Sequence, residues 1–184
     1  MHDLGTTAAL SLSAFVESRI EPEIVFGVAA PPSADMDDAA LLTCLDWVAH
    51  GFEIVQSIYP RWQFAVADTI AVNGLHGALV VGPRHATGPN AADWLRTLSR
   101  FEIDLLCNGQ AIDRGNAANV LDGPLAALRH LTGVLARDPV SPPLAAGEIV
   151  TTGTLTRAMP VKPGEAWSTR LYGVALAGIR QRFD

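Results

Sequence analysis

The apolar positions of this 184-residue chain fall mostly into short runs rich in Val, Ile and Phe, separated by Gly, Pro and Asn. Only a few stretches carry the i, i+3, i+4 spacing of a helix. Residues 1–20 begin polar and turn apolar at Leu10-Ser11-Leu12 and Phe15-Val16, a lead-in with no cap for a long helix. Residues 23–29 predict a strand ended by Pro31-Pro32. From Asp35 or Asp37 a helix is expected through Leu41, Leu42, Leu45, Val48 and Ala49 to Gly51, which delivers the chain to Glu53 at the head of the next strand. Asn73-Gly74 marks a turn before a strand over 77–82. Asn90 is placed to cap a helix bearing Trp94, Leu95 and Leu98. The run 101–107, followed by Asn108-Gly109 and Ala111-Ile112, predicts a hairpin closed by a type I′ turn. Asp122-Gly123-Pro124 opens a helix with Leu125, Leu128, Leu131 and Leu135 on one side. After a Pro-rich loop over 139–143, residues 148–154, 161, 167–172 and 173–183 read as strands.

Strands outnumber helices, and βαβ alternation, a Gly-rich phosphate loop and internal repeats are all missing from the sequence. The expected class is therefore α+β, β-dominated, with a mixed sheet rolled on itself. The length fits a lead-in over 1–20 and a single domain over 21–184.

Composition narrows the function. At 49% hydrophobic and 17% charged the chain can fill a core. A net charge of −6 and a pI near 5.3 oppose binding to a nucleic acid, whose polyanion calls for a basic footprint. Lys162 is the sole lysine, the other cationic side chains being Arg. Cys44 and Cys107 stand apart, without metal-ligand spacing, and read as small hydrophobes of a reduced, cytoplasmic protein. The start, Met1-His2-Asp3-Leu4-Gly5, lacks the basic head and apolar stretch of a signal peptide, and no run reaches the roughly 18 apolar residues of a membrane span.

The unusual charges are Glu21 and Glu23, in Arg19-Ile20-Glu21-Pro22-Glu23-Ile24, and Glu53, in Gly51-Phe52-Glu53-Ile54-Val55. Each heads an apolar strand-like segment. Alternate residues of a strand share a face, so Glu21 and Glu23 project together, with Pro22 keeping the backbone extended. Two like charges that close are offset most simply by a divalent cation held by oxygen ligands, with Glu53 as a third acid from a neighbouring strand. Solvated charge at a sheet rim is the competing reading. Asp68 and Asn73 flank a short apolar stretch, with Asp68 either a working acid or the cap of a turn. His76, between glycines, is a general-base candidate or a packed side chain. The corner Thr151-Thr152-Gly153-Thr154 offers N–H groups and a hydroxyl to a carboxylate, or is simply a turn.

Taken in order, Glu-Pro-Glu-Ile, Gly-Phe-Glu-Ile-Val, Trp-x5-Asp-Thr-Ile-Ala, Asn-Gly, Leu-Asp-Gly-Pro-Leu, Ala-Gly-Glu-Ile-Val-Thr-Thr-Gly-Thr and Val-Lys-Pro-Gly-Glu resemble the fumarylacetoacetate hydrolase superfamily over residues 19–183. Within it, the sequence is most similar to the 2-keto-4-pentenoate hydratase and 4-oxalocrotonate decarboxylase branch. The resemblance implies a mixed β-roll of the superfamily's C-terminal domain type, with Mg2+ or Mn2+ on Glu21, Glu23 and Glu53. It further implies a lyase of aromatic catabolism that hydrates or decarboxylates a 2-oxo or 2-hydroxydienoic acid through an enolate. Gly153 and Thr154 would hold the substrate carboxylate, and the assembly would be a homodimer or a higher oligomer. The match has gaps. The acid/base lysine and aspartate of an N-terminal segment typical of the branch are missing, and Phe64-Ala65-Val66-Ala67 stands where other branches place a lysine. Proton transfer would then fall to Asp68, His76, water or a partner subunit. The alternative is a catalytically impaired auxiliary subunit that pairs with a full-length homologue, or a truncated form of a normal enzyme.

Overall fold

A computed structural model describes residues 1–3 and 9–184; residues 4–8, part of the expected lead-in, lie outside the described residues. In chain order the elements are β1 (His2–Asp3), β2 (Arg19–Val28), α1 (Asp38–Thr43), β3 (Leu45–Val55), α2 (Val66–Ala71), β4 (His76–Val81), β5 (His85–Ala86), α3 (Ala91–Thr97), β6 (Glu102–Cys107), β7 (Gln110–Asn116), α4 (Pro124–Leu135), β8 (Ile149–Thr151), β9 (Met159–Pro160), β10 (Ala166–Tyr172) and β11 (Arg180–Arg182). Among the described residues these strands form two sheets. The larger runs β1-β4-β3-β2-β8, with β5 on β3 and β9 on β2; the smaller runs β11-β10-β6-β7. Among the strand pairs of the described residues, β1–β4 alone is parallel, and strands predominate, as the α+β class requires.

Alternation along β2 and β3 decides the layers. Ile20, Ile24, Phe26 and Val28 of β2, with Val48, Phe52 and Ile54 of β3, face inward and are almost fully buried. They meet Ile103 and Leu105 of β6, Trp167 of β10 and the apolar faces of α3 and α4, forming the two main clusters of the core. The opposite face of the large sheet carries a smaller patch, Val25, Ala49, Leu79 and Val81. Leu10 and Leu12 are buried in the second main cluster, and the Leu10 amide donates to the Arg182 carbonyl at 2.9 Å.

The hairpin β6–β7 turns at Asn108 (φ 50°) and Gly109 (φ 84°), the two left-handed residues its sequence demands. Asp37 caps α1 by accepting from the Ala40 N–H at 2.8 Å. The helix expected up to Gly51 instead stops at Thr43, and Leu45 onward is strand. Leu45, Val48 and Ala49 satisfy helical spacing, but β3 is buried on both faces along most of its length, so its apolar run carries no period of its own. Residues 66–71, assigned no element from sequence, form α2, with Val66 (79% exposed) and Ile70 (76%) outward; the apolar stretch between Asp68 and Asn73 is thus not a buried one. Asn90 occupies the N-cap position of α3 without a side-chain bond to the helix. The expected strand over 173–183 is confined to β11, because the chain breaks at Gly173 (φ 84°). No helix among the described residues is long and apolar enough to cross a membrane.

Candidate metal centre

On the outer face of the large sheet the register of β2, β3 and β4 produces three neighbouring rows: Glu23–Gly51–Val81, Glu21–Glu53–Leu79 and Arg19–Val55–His76. Glu21 and Glu53 are direct cross-strand partners, where like charges repel unless something between them offsets the charge. Carboxylate oxygens of Glu21, Glu23 and Glu53 lie within 4.8 Å of one another. The sequence expectation that the three acids share a face is met by strand alternation in β2 and by pairing in β3.

Local structure fits this task. The even-numbered residues of β2 turn their backbone groups toward residues 152–155, as shown by Thr152 N–H donating to the Ile24 carbonyl and Leu155 N–H to the Pro22 carbonyl. Pro22 sits between the β8 pairing, which begins at Val25, and the β9 pairing, which ends at Ile20, so its missing N–H interrupts no ladder. Gly51, opposite Glu23, is required by crowding: a Cβ there would come within 2.8 Å of Val25 Cγ2 and 2.9 Å of the Val80 carbonyl oxygen.

Burial makes the acids costly. Glu23 is 1% exposed, and its pKa is pushed up to about 8, first by desolvation and then by the Glu53 charge. The Gly153 N–H, donating to Glu23 Oε2 at 2.8 Å, pulls the other way. Glu21 rises to about 7 for the same two leading reasons, moderated by Arg19. An all-oxygen, hard-donor set with too much negative charge and too little water fits a divalent cation such as Mg2+.

His76 reaches the cluster by a bulge. The β3–β4 register slips between Ile54 and Val55, so that Ala78 pairs with Ile54 while His76 pairs with Val55. The slip turns His76 onto the acidic face. Its Nδ1 lies 2.6 Å from Glu53 Oε1, and the side chain is 39% exposed. Asp68 has no such contact: on α2 its carboxylate accepts from the Ala65 N–H at 2.8 Å, capping the start of its own helix and not the turn that follows it, where the sequence suggested a cap. Gly153 adopts φ 98° and directs its N–H at Glu23, whereas the Thr154 hydroxyl donates to the Thr156 carbonyl at 2.8 Å. Lys162 is exposed in the turn before β10, and Cys44 and Cys107 are both free thiols.

Two features around the acids escaped the sequence reading. His50, 2% exposed on the inner face, donates from Nδ1 to the Glu23 carbonyl at 2.9 Å and accepts at Nε2 from the Thr169 hydroxyl at 2.8 Å. The Thr169 oxygen in turn accepts the Ile179 N–H at 3.1 Å, so one chain of bonds runs from the small sheet to the backbone of an acidic residue. The second feature is Arg19, whose position two residues before Glu21 gives it the same strand parity; that spacing was a readable signal. An apolar cavity of about 660 Å3 lies at the other end of β3, against Leu42, Leu45 and Leu95, and includes none of the acids.

Known proteins share this chain's pattern. It is 28% identical over 179 residues to a 2-hydroxyhexa-2,4-dienoate hydratase of Comamonas testosteroni, covering 96% of this chain and 64% of that protein. It is 30% identical over 172 residues to a 4-oxalocrotonate decarboxylase of Pseudomonas sp. strain CF600, covering 91% of this chain and 61% of the relative. The chain thus spans less than two thirds of the length of these relatives. In structure it superposes with a TM-score of 0.83 on the 4-oxalocrotonate decarboxylase of Pseudomonas putida G7 complexed with magnesium and adipate, at 23% identity, over all of this chain and 65% of the other. The model of the fumarylacetoacetate hydrolase C-terminal family matches residues 5–180, and the chain belongs to that family.

Proposed function

We propose that the protein is a divalent-metal-dependent lyase acting on a 2-oxo or 2-hydroxydienoic acid, with Glu21, Glu23 and Glu53 as the ligands of Mg2+ or Mn2+. The observation that carries this reading is the convergence of three carboxylates, one of them fully buried, on one open sheet face. The relatives named as hydratase and decarboxylase support the reaction class, and the magnesium and adipate in the structural neighbour support an ion with a small carboxylic acid.

A divalent ion in this cluster supplies Lewis acidity to the carbonyl end of a 2-oxo acid. The chain's own residues do the rest. Glu23 is fixed at both ends, by Gly153 N–H on its carboxylate and by His50 on its carbonyl. Glu53 is oriented by His76 in the manner of an outer-sphere histidine. His76 keeps Nε2 free of any described partner, and we assign it the proton transfer that hydration or decarboxylation requires. Asp68 stays a secondary candidate, engaged as it is with the start of α2. The Gly153–Thr154 corner borders the site through Glu23 and would receive the acid's carboxylate through the Thr154 hydroxyl, which would have to exchange its bond to the Thr156 carbonyl for one to the carboxylate. We expect at least a homodimer in solution.

Calorimetric titration with Mg2+ or Mn2+, with and without oxalate, tests the site. Metal binding that oxalate strengthens, and that Glu23→Gln abolishes, is the expected result. Absence of metal binding in both conditions would overturn it and leave the acids as structural charge. Hydratase and decarboxylase assays of the metal-loaded protein then separate the two reactions.

A further inference from the structure

On the inner face of the large sheet His50 stands between the buried Val48 and Phe52 of β3, and the direction of its two ring bonds is fixed from outside the imidazole. The Ile179 N–H can only donate, and the Glu23 carbonyl can only accept. Thr169 Oγ1 accepts the Ile179 N–H at 3.1 Å, which leaves the Thr169 hydroxyl to donate to His50 Nε2 at 2.8 Å, and His50 Nδ1–H donates to the Glu23 carbonyl at 2.9 Å. Every donor therefore points one way, from the residue before β11 to the backbone of Glu23. All four residues are 6% exposed or less, so water does not compete for these bonds, and bonds aligned in series polarise one another.

The series has no slack. Thr169 N–H also donates to the Ile179 carbonyl at 3.0 Å, so β10 and residue 179 are tied twice. A Cβ on Gly178 would collide with the Thr169 carbonyl, and one on Gly82 would lie 2.7 Å from both the His50 carbonyl oxygen and Ile179 Cγ2. The Gly82 N–H holds that His50 carbonyl at 2.9 Å, and the imidazole meets the Phe52 ring edge-on with centroids 5.8 Å apart. Apolar side chains at positions 50 and 169 would fill the same space without burying two polar ones, so filling the core does not account for the pair.

We propose that Thr169, acting through His50, is a positioning residue for the acids on the opposite face: it sets the tilt of the Glu23 backbone and thereby the place of the Glu23 carboxylate beside Glu21 and Glu53. The inference rests on the reading of the three acids as a metal centre. A carboxylate oxygen lies about 4–5 Å from its own Cα, so a backbone tilt of about 10° moves it by about 0.8 Å. That exceeds the roughly 0.5 Å within which a metal-holding group has to be placed. The Gly153 N–H on Oε2 restrains the carboxylate from outside the sheet, and the series through His50 restrains the carbonyl from inside it. Ion binding on the large sheet is thus tuned from the small one.

Calorimetric titration with Mn2+ of the 184-residue protein and of Thr169→Val, Thr169→Ser and Thr132→Val tests this. Thr132 is the control, a hydroxyl as deeply buried that donates at 2.8 Å within its own helix, to the Arg129 carbonyl. At a temperature where melting curves show each variant folded, Thr169→Val should bind Mn2+ about tenfold more weakly than the parent, and Thr169→Ser and Thr132→Val should stay within about twofold. Parental Mn2+ affinity in Thr169→Val, whatever its melting temperature, overturns the proposal and leaves the series a strut of the core. So does an equal loss in Thr132→Val, or no recovery in Thr169→Ser. Should Thr169→Val not fold, the unsubstituted protein decides: saturation with Mg2+ should shift the imidazole nitrogen resonances of His50, and unmoved resonances overturn the proposal. Failure of the metal reading has a different signature, no binding of Mn2+ by the unsubstituted protein, and takes both readings down together.

Discussion

Glu23 shows how a side chain that is costly to the fold by itself can be one that the proposed metal site requires. It is a nearly inaccessible carboxylate, beside two others, with one N–H to satisfy it and a proton affinity raised to about 8. Glu23→Gln keeps an oxygen for Gly153 and removes the charge. We therefore expect the variant to bind Mn2+ at least about 100-fold more weakly and yet, without metal at pH 8, to melt at a higher temperature than the parent. Metal titration and thermal melting on the same sample check both halves. His50 carries the opposite balance. Its burial depresses its pKa to about 4, so it is neutral in the fold, with both ring nitrogens bonded. A group with a lowered cationic pKa contributes stability that is present above its unfolded value near 6.5 and lost as pH falls toward 4. His50→Phe should cost about 2–3 kcal/mol at neutral pH, by leaving the Glu23 carbonyl and the Thr169 hydroxyl without their partner, and should flatten the acid limb of the stability curve. Urea unfolding at pH 7 and pH 5 measures both effects.

Among the elements, β7 and the segment after β8 come together closely at Gly115. A Cβ on Gly115 would lie 1.8 Å from the Leu155 carbonyl oxygen, a backbone atom that the Leu155 amide bond to Pro22 holds in place. Gly115→Ala should destabilise the protein by about 3 kcal/mol or prevent folding, whereas Gly109→Asn, at a turn with open space and left-handed φ, should cost less than about 1 kcal/mol. Denaturant midpoints for the two variants decide this. The same elements show what sequence could and could not convey. The hairpin and α4 were legible because Asn108-Gly109 and Gly123-Pro124 act locally, through φ angles and a missing N–H. The facing of Glu21 and Glu23 was legible because strand alternation is strict. β3 was misjudged as helix at its start because burial on both sides erases the period that separates the two structures. The alignment of His76 with Glu53 depends on a one-residue slip between two strands, and that is a property of pairing, invisible in either strand alone. His50 was hidden for a related reason: its partners lie 27 and 119 residues away in the chain.

At the scale of the whole molecule, the acidic face couples folding to pH and, on the proposed reading, to metal. Glu21 and Glu23 have folded pKa values of about 7 and about 8 against an ordinary value of 4.5, so between these limits the folded protein binds more protons than the unfolded chain. Stability without metal is then greatest from these groups below pH 4.5 and is lost as pH rises through 7 and 8. Below about pH 6.5 the His50 contribution runs the other way, so the clean window lies above it. From pH 6.5 to 9 the metal-free protein should lose a few kcal/mol, seen as a melting temperature that falls by several degrees. If the cluster holds the proposed ion, a divalent cation should reverse the slope, because it would bind the deprotonated acids of the folded state and would have no such cluster to bind in the unfolded chain. At a concentration about 100 times its dissociation constant it should add about 2.7 kcal/mol, with the gain growing as pH rises and protons cease to compete. Melting curves across this pH range, with a chelator and with Mg2+ or Mn2+, should therefore diverge toward the alkaline end. Parallel curves would mean that the acids neither hold the protons nor receive the ion, and the account of the outer face would have to be abandoned from its first step.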